Sequence, residues 1–413
     1  MPDPTLPPGA WAPAHAAVRR LLSPLQRFLQ VEAASGLVLI AATAIAVIWA
    51  NSPWSPSYVA IRHTELSLTL GAWRFGRPLE FWINDGLMTI FFFVVGLEIR
   101  REMYQGALRE RRRAALPIAA ACGGMLVPAA IYAACNLGRA GHAGWGVPMA
   151  TDIAFAVGVL TLLGRRIPPG GRVLLLAIAA IDDIGAILVI AIFYSQGVAL
   201  EGFLLAGTGL AAIAVLKAIG IRSPAAYVLP GVVVWMGTLA AGVHPTLAGV
   251  ILGLLTPVRA WSRARDDLEP ESPAARLEQA LHRWVAFGIM PIFALANAGV
   301  DLGGASLRGD AGLVFAGVVA GLVVGKPTGI LVACRLGSLL RVAARPTHVS
   351  RDGLVVTGMV AGIGFTMSLF IADLAFKPGP LLETAKLAIF VGSLVAAALG
   401  LAKGSRLVRS SRS

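Results

Sequence analysis

Apolar segments of about 17 to 25 residues, the length a helix needs to cross a hydrocarbon core, recur along the whole chain. Twelve lie at roughly 32–50, 82–99, 114–134, 147–163, 172–194, 201–219, 225–241, 243–257, 281–300, 311–334, 353–374 and 381–402. A helix satisfies its own backbone where no water is present, so segments of this kind predict an all-α polytopic membrane protein. The composition agrees. Of 413 residues, 57% are hydrophobic and only 14% charged, and 47 are glycine, which excludes an ordinary soluble globular protein. Only Gly242-Val243-His244-Pro245 joins the two members of the pair at 225–257. The first segment has no A-x-A cleavage site before Trp49-Ala50-Asn51, so it reads as a retained helix rather than a signal peptide.

The formal net charge of +13 invites a nucleic-acid reading, but its distribution excludes one. With twelve spans, 27 of the 35 Lys and Arg residues fall on the side that holds both tails. Six face the other side, namely Arg62, Arg74, Arg77, Arg139, Arg308 and Lys377, while Lys326 and Lys386 fall inside predicted spans. The positive-inside rule then places both termini in the cytoplasm, and the basic excess is topological. The expected layout is a cytoplasmic N-tail over 1–31, one integral-membrane domain over 32–402 and a basic C-tail over 403–413. Within the N-tail, AHAAVRRLLSPLQRFLQ is basic and amphipathic, as expected of a helix lying on the lipid surface. Cys122, Cys135 and Cys334 show no paired spacing, so they predict neither a metal site nor a disulfide.

In TELSLTLGAWRFGRPLE, Leu66, Leu68 and Leu70 alternate with polar residues up to Gly71-Ala72, and Trp73 and Phe75 alternate beyond it. Period two around a Gly-X turn predicts a small extracytoplasmic β-hairpin over about 64–77. An isolated hairpin is marginal in water, so it pairs with a second copy in a homodimer or rests on its own subunit. Gly317, Gly321 and Gly325 are spaced four apart, which lets another helix approach closely just before Lys326.

The run AAIDDIGAILVIAIFY places Asp182 and Asp183 about ten residues into a span, near the bilayer centre. Asp152 in PMATDIAFAVG and Lys326 in VVGKPTGI lie at similar depth. A charge at that depth costs several kcal/mol unless it is paired or hydrated. One Asp–Lys pair alone reads as a helix lock, whereas three carboxylates against one ammonium leave excess acid that needs a cation or protons. Adjacent helical residues point about 100° apart, so Asp182 and Asp183 need different partners. One can be held by Lys326 while the other offers oxygen to a small hard cation, with Asp152 and the Thr151 hydroxyl or backbone carbonyls completing the shell. Protons and metal ions then compete for the same oxygens, which is the chemistry of exchange. Helix breakers also sit mid-span: Thr151-Asp152 in the fourth segment, and Gly358, Gly362 and Gly364 in the eleventh. Paired interruptions of this kind predict two discontinuous helices that meet at the binding site.

These residues resemble the NhaA family of bacterial sodium/proton antiporters. The likeness rests on INDGLMTIFFFVVGLEIRRE (83–102), PMATDIAFAVGVLTLLG (148–164), AIDDIGAILVIAIFY (180–194), GVHPTLAGV (242–250), RLEQALHRWV (276–285), FALANAGV (293–300), GKPTGI (325–330) and GIGFTMSLFIA (362–372). It covers about residues 15–405. The resemblance implies twelve helices with inverted-topology repeats, and a fourth and an eleventh helix that are broken and cross mid-membrane. It implies Asp183 as principal sodium ligand, Asp182 as the partner of Lys326 and Asp152 as the acid at the crossing. It further implies a homodimer in the inner membrane and electrogenic exchange of sodium or lithium for protons, switched on at alkaline pH. Such a protein serves pH homeostasis and salt tolerance, with no cofactor and no enzymatic step. Its pH-response cluster maps to Glu98, Glu102, Glu278 and His282, and its pH-linked histidine to His244. Ala275 and Gln279 depart from the pattern, which often has a basic residue and a second histidine there. Asp373 in FIADLAF is also uncommon for the pattern, and reads as a solvated helix-end acid.

Two other functions compete. An intramembrane aspartyl protease also buries two carboxylates, but on separate helices, and no GxGD occurs here. A sodium-coupled solute symporter shares the broken-helix logic but needs a polar pocket for an organic solute, which the sequence does not display.

Overall fold

The computed structural model describes residues 34–71, 73–106, 111–163, 169–195, 197, 199–221, 223–258, 272–340 and 351–410. The expected amphipathic N-tail segment lies outside them. Helix α1 (Ala34–Ala50) is followed, at a bend of 112°, by α2 (Ser55–His63). Strands β1 (Glu65–Leu70) and β2 (Trp73–Pro78) pair antiparallel with Leu66 opposite Arg77 and Leu70 opposite Trp73. Gly71 has φ +61°, the left-handed conformation a tight two-residue hairpin turn demands. The hairpin rests on its own chain: the Trp82 indole donates to Leu66 O at 3.2 Å, and Phe75 stacks edge-on against Trp82 and Phe81.

The remaining elements are helical. They are α3 (79–105), α4 (Arg111–Asn136), a tight 3-10 segment (Ala140–Met149), α5 (Ile153–Leu162), α6 (Pro169–Phe193), α7 (Leu200–Ala218) and α8 (Val228–Ala240). After these come α9 (Thr246–Leu255), α10 (273–297), α11 (Gly309–Leu339), α12 (Arg351–Ala361), α13 (Phe365–Ala375) and α14 (Pro380–Ser410). The last helix therefore continues well past the span boundary expected near 402. Among the described residues six helices are long and apolar enough to cross a bilayer, and up to nine if each bent pair is one span. Helix α9, with 10 residues, rises about 15 Å, half of a typical hydrocarbon thickness.

Two breaks interrupt the bundle. The 3-10 segment and α5 are bent by 50° across residues 150–152, and α12 and α13 by 42° across 362–364. The first break lies where the chain passes between two apolar clusters, and the second just before such a passage, which falls between Phe365 and Met367. One cluster holds Val147, Ala150, Ala186, Ile187, Ile190, Leu322 and the stretch Met367 to Ala372 apart from Ser368. The other holds Ala156, Leu160, Leu175, Ile178, Ile181, Ile330, Val360 and Ala361. Asp152, Asp182, Asp183 and Lys326 each fall between members of the two clusters along their own segment, so the charges occupy the seam.

The glycines of α11 let it lie directly on α4. A Cβ on Gly317 would meet Tyr132 and Asn136, one on Gly321 would meet Pro148 of the 3-10 segment, one on Gly325 would meet Pro128, and one on Gly329 would come within 2.1 Å of Gly123 O. The stripe thus has a fourth member beyond the three that the sequence made conspicuous. Gly329→Val should push α4 and α11 apart, lowering stability by about 1–3 kcal/mol and displacing Lys326 one turn away. Thermal unfolding in detergent measures it, and an unchanged melting temperature would show that this contact is loose.

Candidate ion-binding site

Breaking a helix inside a membrane exposes backbone donors at one new end and carbonyls at the other. Asp152 answers the donors of both breaks. Its Oδ1 accepts from Phe155 N at 3.1 Å, capping α5, and its Oδ2 accepts from Thr366 N at 3.1 Å in the first turn of α13. The Thr366 hydroxyl donates to the same Oδ2, and Asp152 N donates to Ile363 O at 2.7 Å. One buried carboxylate therefore pins two helix N-termini to each other.

Lys326 answers the opposite end. Its fully buried ammonium donates to Met149 O, the last carbonyl of the 3-10 segment, and pairs with Asp182 Oδ2 at 2.8 Å. Positive charge beside a helix C-terminus is the favourable sign. Gly325 ends a π-helical turn (Gly321–Gly325), whose extra residue sets the direction in which Lys326 leaves the helix. Thr151 lies between these partners: its hydroxyl is 2.8 Å from Asp182 Oδ2 and 2.9 Å from Ala361 O, two acceptors for one proton.

Asp182 and Asp183 point to different surroundings, as adjacent helical residues must. Asp183 is 2% exposed, and its Oδ1, like Asp182 Oδ1, has no hydrogen-bond partner among the described residues. It feels the negative charges of Glu98, Asp182 and Asp152 and the positive charge of Lys326. Asp152 accepts backbone caps on both oxygens and Thr151 turns to Asp182, which leaves Asp182 Oδ1 and Asp183 Oδ1 as the site's carboxylate oxygens without a hydrogen bond among the described residues. Gly362 and Gly364 permit the crossing: a Cβ on the first would lie 2.4 Å from Leu322 O, and one on the second 3.1 Å from Ala150 O. Gly358 packs against Pro327, 3.2 Å from where its Cβ would stand.

The pH-response candidates separate into two groups. Arg101 pairs with Glu278 at 2.8 Å and lies 3.8 Å from Glu102. Burial pushes the Glu278 carboxyl above the ordinary glutamate range, with Arg101 and His282 opposing the rise and Glu102 adding to it. Glu98, one turn before Glu102 on α3, links this cluster electrostatically to Asp183. His244 stands apart, in the turn before α9. Its Nδ1 is 2.8 Å from Thr246 Oγ1, its Nε2 is 3.4 Å from Asp85, and its ring meets Phe370 edge-on. Asp85 lies thirteen residues before Glu98 on α3, which separates the groups by about 20 Å.

Asp373 is corrected by the structure. It is not a solvated acid but pairs at 2.9 Å with Lys386, whose side chain is 2% exposed. A buried lysine on α14 requires a counter-charge, and α13 supplies it. Thr366 and Asp85 also went unrecognised in the sequence. The one available signal for Thr366 was its position two residues after the Gly364 break.

The residues 26–403 match the family model described as Na+/H+ antiporter 1. The chain belongs to this family. It is 53% identical to the Na(+)/H(+) antiporter NhaA 2 of Sorangium cellulosum, covering 98% of this chain and 94% of the relative. It is 50% identical to the protein of the same name from Myxococcus xanthus, with the same coverage. The Na(+)/H(+) antiporter NhaA of Janthinobacterium sp. is 49% identical over 97% of each chain. As a Na+/H+ antiporter family member with several apolar helices, the protein is a multi-pass membrane protein. Its relatives are named as transporters, not enzymes.

Lys326→Ala strands Asp182 as a buried unpaired charge and should cost about 3–5 kcal/mol of stability. Combining it with Asp182→Asn should cost less than the two single losses together, since both remove one interaction. Melting temperatures of the three variants decide this, and strict additivity would show that the pair is not energetically coupled.

Proposed function

We propose that this protein is a secondary active antiporter of the bacterial inner membrane that exchanges cytoplasmic sodium or lithium for external protons by alternating access. The transported ion binds at Asp183 and Asp182, and Asp152, Thr151 and Lys326 hold the crossing in shape. The observation that carries this reading is the pair of uncommitted carboxylate oxygens, Asp182 Oδ1 and Asp183 Oδ1, buried at the seam of two broken helices with a single ammonium nearby. Carboxylates without enough positive charge must take up either protons or a cation, so each ion displaces the other. Lys326 can also change partners as the charge on Asp182 changes. More protons than sodium ions moving per cycle would make exchange electrogenic.

Around this site we place twelve spans, with the halves related by inversion, both termini cytoplasmic and the hairpin outside, and two copies in a homodimer. The short helix α9 fits such a span only where protein rather than lipid surrounds it.

Activation at alkaline pH belongs to Glu98, Glu102, Glu278 and His282, with His244 acting separately at the other end of α3. The direction follows from Glu278. The folded cluster favours its neutral form, so that stabilisation is fully present below the unfolded glutamate value and is lost as pH rises through the raised folded value. Glu278→Gln stays neutral at every pH and should move the onset of exchange to higher pH. If its onset matches wild type at low and high sodium, competition at the aspartates sets the pH profile alone.

Asp183→Asn tests the function itself. The amide keeps the shape but cannot trade a proton for a cation, so sodium-driven proton movement in proteoliposomes should vanish while the protein stays folded. Normal exchange by this variant would remove Asp183 from the mechanism.

A further inference from the structure

The Asp373–Lys386 pair has no part in the ion site, yet it stands on the same stripe of α13. Asp373 follows Thr366 by seven residues, two turns or about 10 Å along the helix and on nearly the same face. Between them projects Phe370, 1% exposed and packed against Phe92, Phe293 and the His244 ring at centroid distances of 5.4, 6.1 and 5.4 Å. These rings come from α3, α10 and the turn before α9. They form an apolar plug between the Asp152 crossing and the end of the bundle that carries the hairpin.

Beyond the plug the charges are paired. Asp373 and Lys386 join α13 to α14, while Arg62 and Glu80, 2.5 Å apart, join α2 to α3. Asp373 feels the charges of Lys386, Arg62 and Glu80, so the two pairs act on each other. Tyr58, under the Arg62 guanidinium, fastens α2 to α10 through Leu295 O at 2.9 Å, Ala296 O at 2.8 Å and Gly299 N at 3.2 Å. Five helices, α2, α3, α10, α13 and α14, are thereby tied near one another.

We propose that Asp373 and Lys386, braced by Arg62 and Glu80, form a latch over the Phe370 plug that keeps the ion site closed towards the hairpin end. This deepens the exchange reading above and rests on it: to face that end, the site must part α13 from α3, α10 and α14, which unpacks the rings and separates Asp373 from Lys386. A buried ion pair suits the task because either charge alone is costly, so the latch is shut or fully parted rather than ajar. Asp373 and Lys386 are thus positioning residues; neither touches the transported ion.

The test uses the full-length protein in proteoliposomes, with sodium flux and proton flux recorded separately. Asp373→Asn and Lys386→Gln should each slow coupled exchange by about tenfold or more, because each leaves one buried charge unpaired. The double variant Asp373→Asn/Lys386→Gln has no buried charge and keeps the shape. It should fold normally and pass sodium with fewer protons moved per sodium than wild type, because the plug is no longer held. Wild-type coupling and rate in the double variant would reduce the pair to packing and overturn the latch, as would wild-type rates in both single variants. Absence of sodium-driven proton movement in the wild type would instead overturn the exchange reading. Sodium flux through the double variant still judges the latch in that case: flux above wild type supports it, and equal flux overturns it.

Discussion

The carboxylate of Asp152 holds together the two ends that the broken helices leave exposed, and the rest of the site is built around that bond. Backbone N–H groups cut loose inside a buried bundle find no water, so each must be answered by protein. A single acid accepts from Phe155 N on one side and Thr366 N on the other, which fixes the crossing. Once those donors are satisfied, the carbonyls at Met149 and Ala361 are the remaining ends, and Lys326 and Thr151 meet them. The same two residues also contact Asp182 Oδ2. Helix termini and ion-site carboxylates are therefore bonded through shared atoms, so a change of charge on Asp182 acts directly on the geometry of both breaks.

Placement of the candidate site at the seam between two apolar clusters suits the proposed exchange. Each cluster packs as a unit, and the segments that carry charge are those that pass from one to the other. Movement of one cluster against the other would alter the crossing while leaving each core intact. The glycines at 362 and 364 bring backbone to backbone there, and those of α11 bring Lys326 against α4.

Much of this was legible in the sequence because the signals are local. Apolar run lengths reveal most of the helices, Gly71 the hairpin turn, and acids within apolar runs the candidate site. The pairing of Asp182 with Lys326, across more than a hundred residues, came from the family resemblance together with the rule that adjacent helical residues diverge. What stayed hidden depends on long-range geometry. The sequence shows Asp373 near a helix end, but only packing brings Lys386 to it. It shows Asp152 and Thr151 as oxygen donors, but not that both are consumed by helix ends. Three π-helical turns among the described residues, at 82–87, 285–289 and 321–325, each contain glycine, yet glycine is common in membrane helices and marks no particular distortion. Helix α9 is shorter than its apolar run suggested because Pro245 starts it late and Pro257 turns Thr256 out of the helix.

The central claim is that sodium and protons occupy the same carboxylates in turn. Its most direct measurement is proton release from the purified protein in weakly buffered detergent on addition of sodium, followed with a pH dye. The account predicts that sodium releases protons, that the sodium concentration needed rises as pH falls, and that release is lost in Asp183→Asn. Sodium binding with no proton release, at an affinity independent of pH, would contradict it.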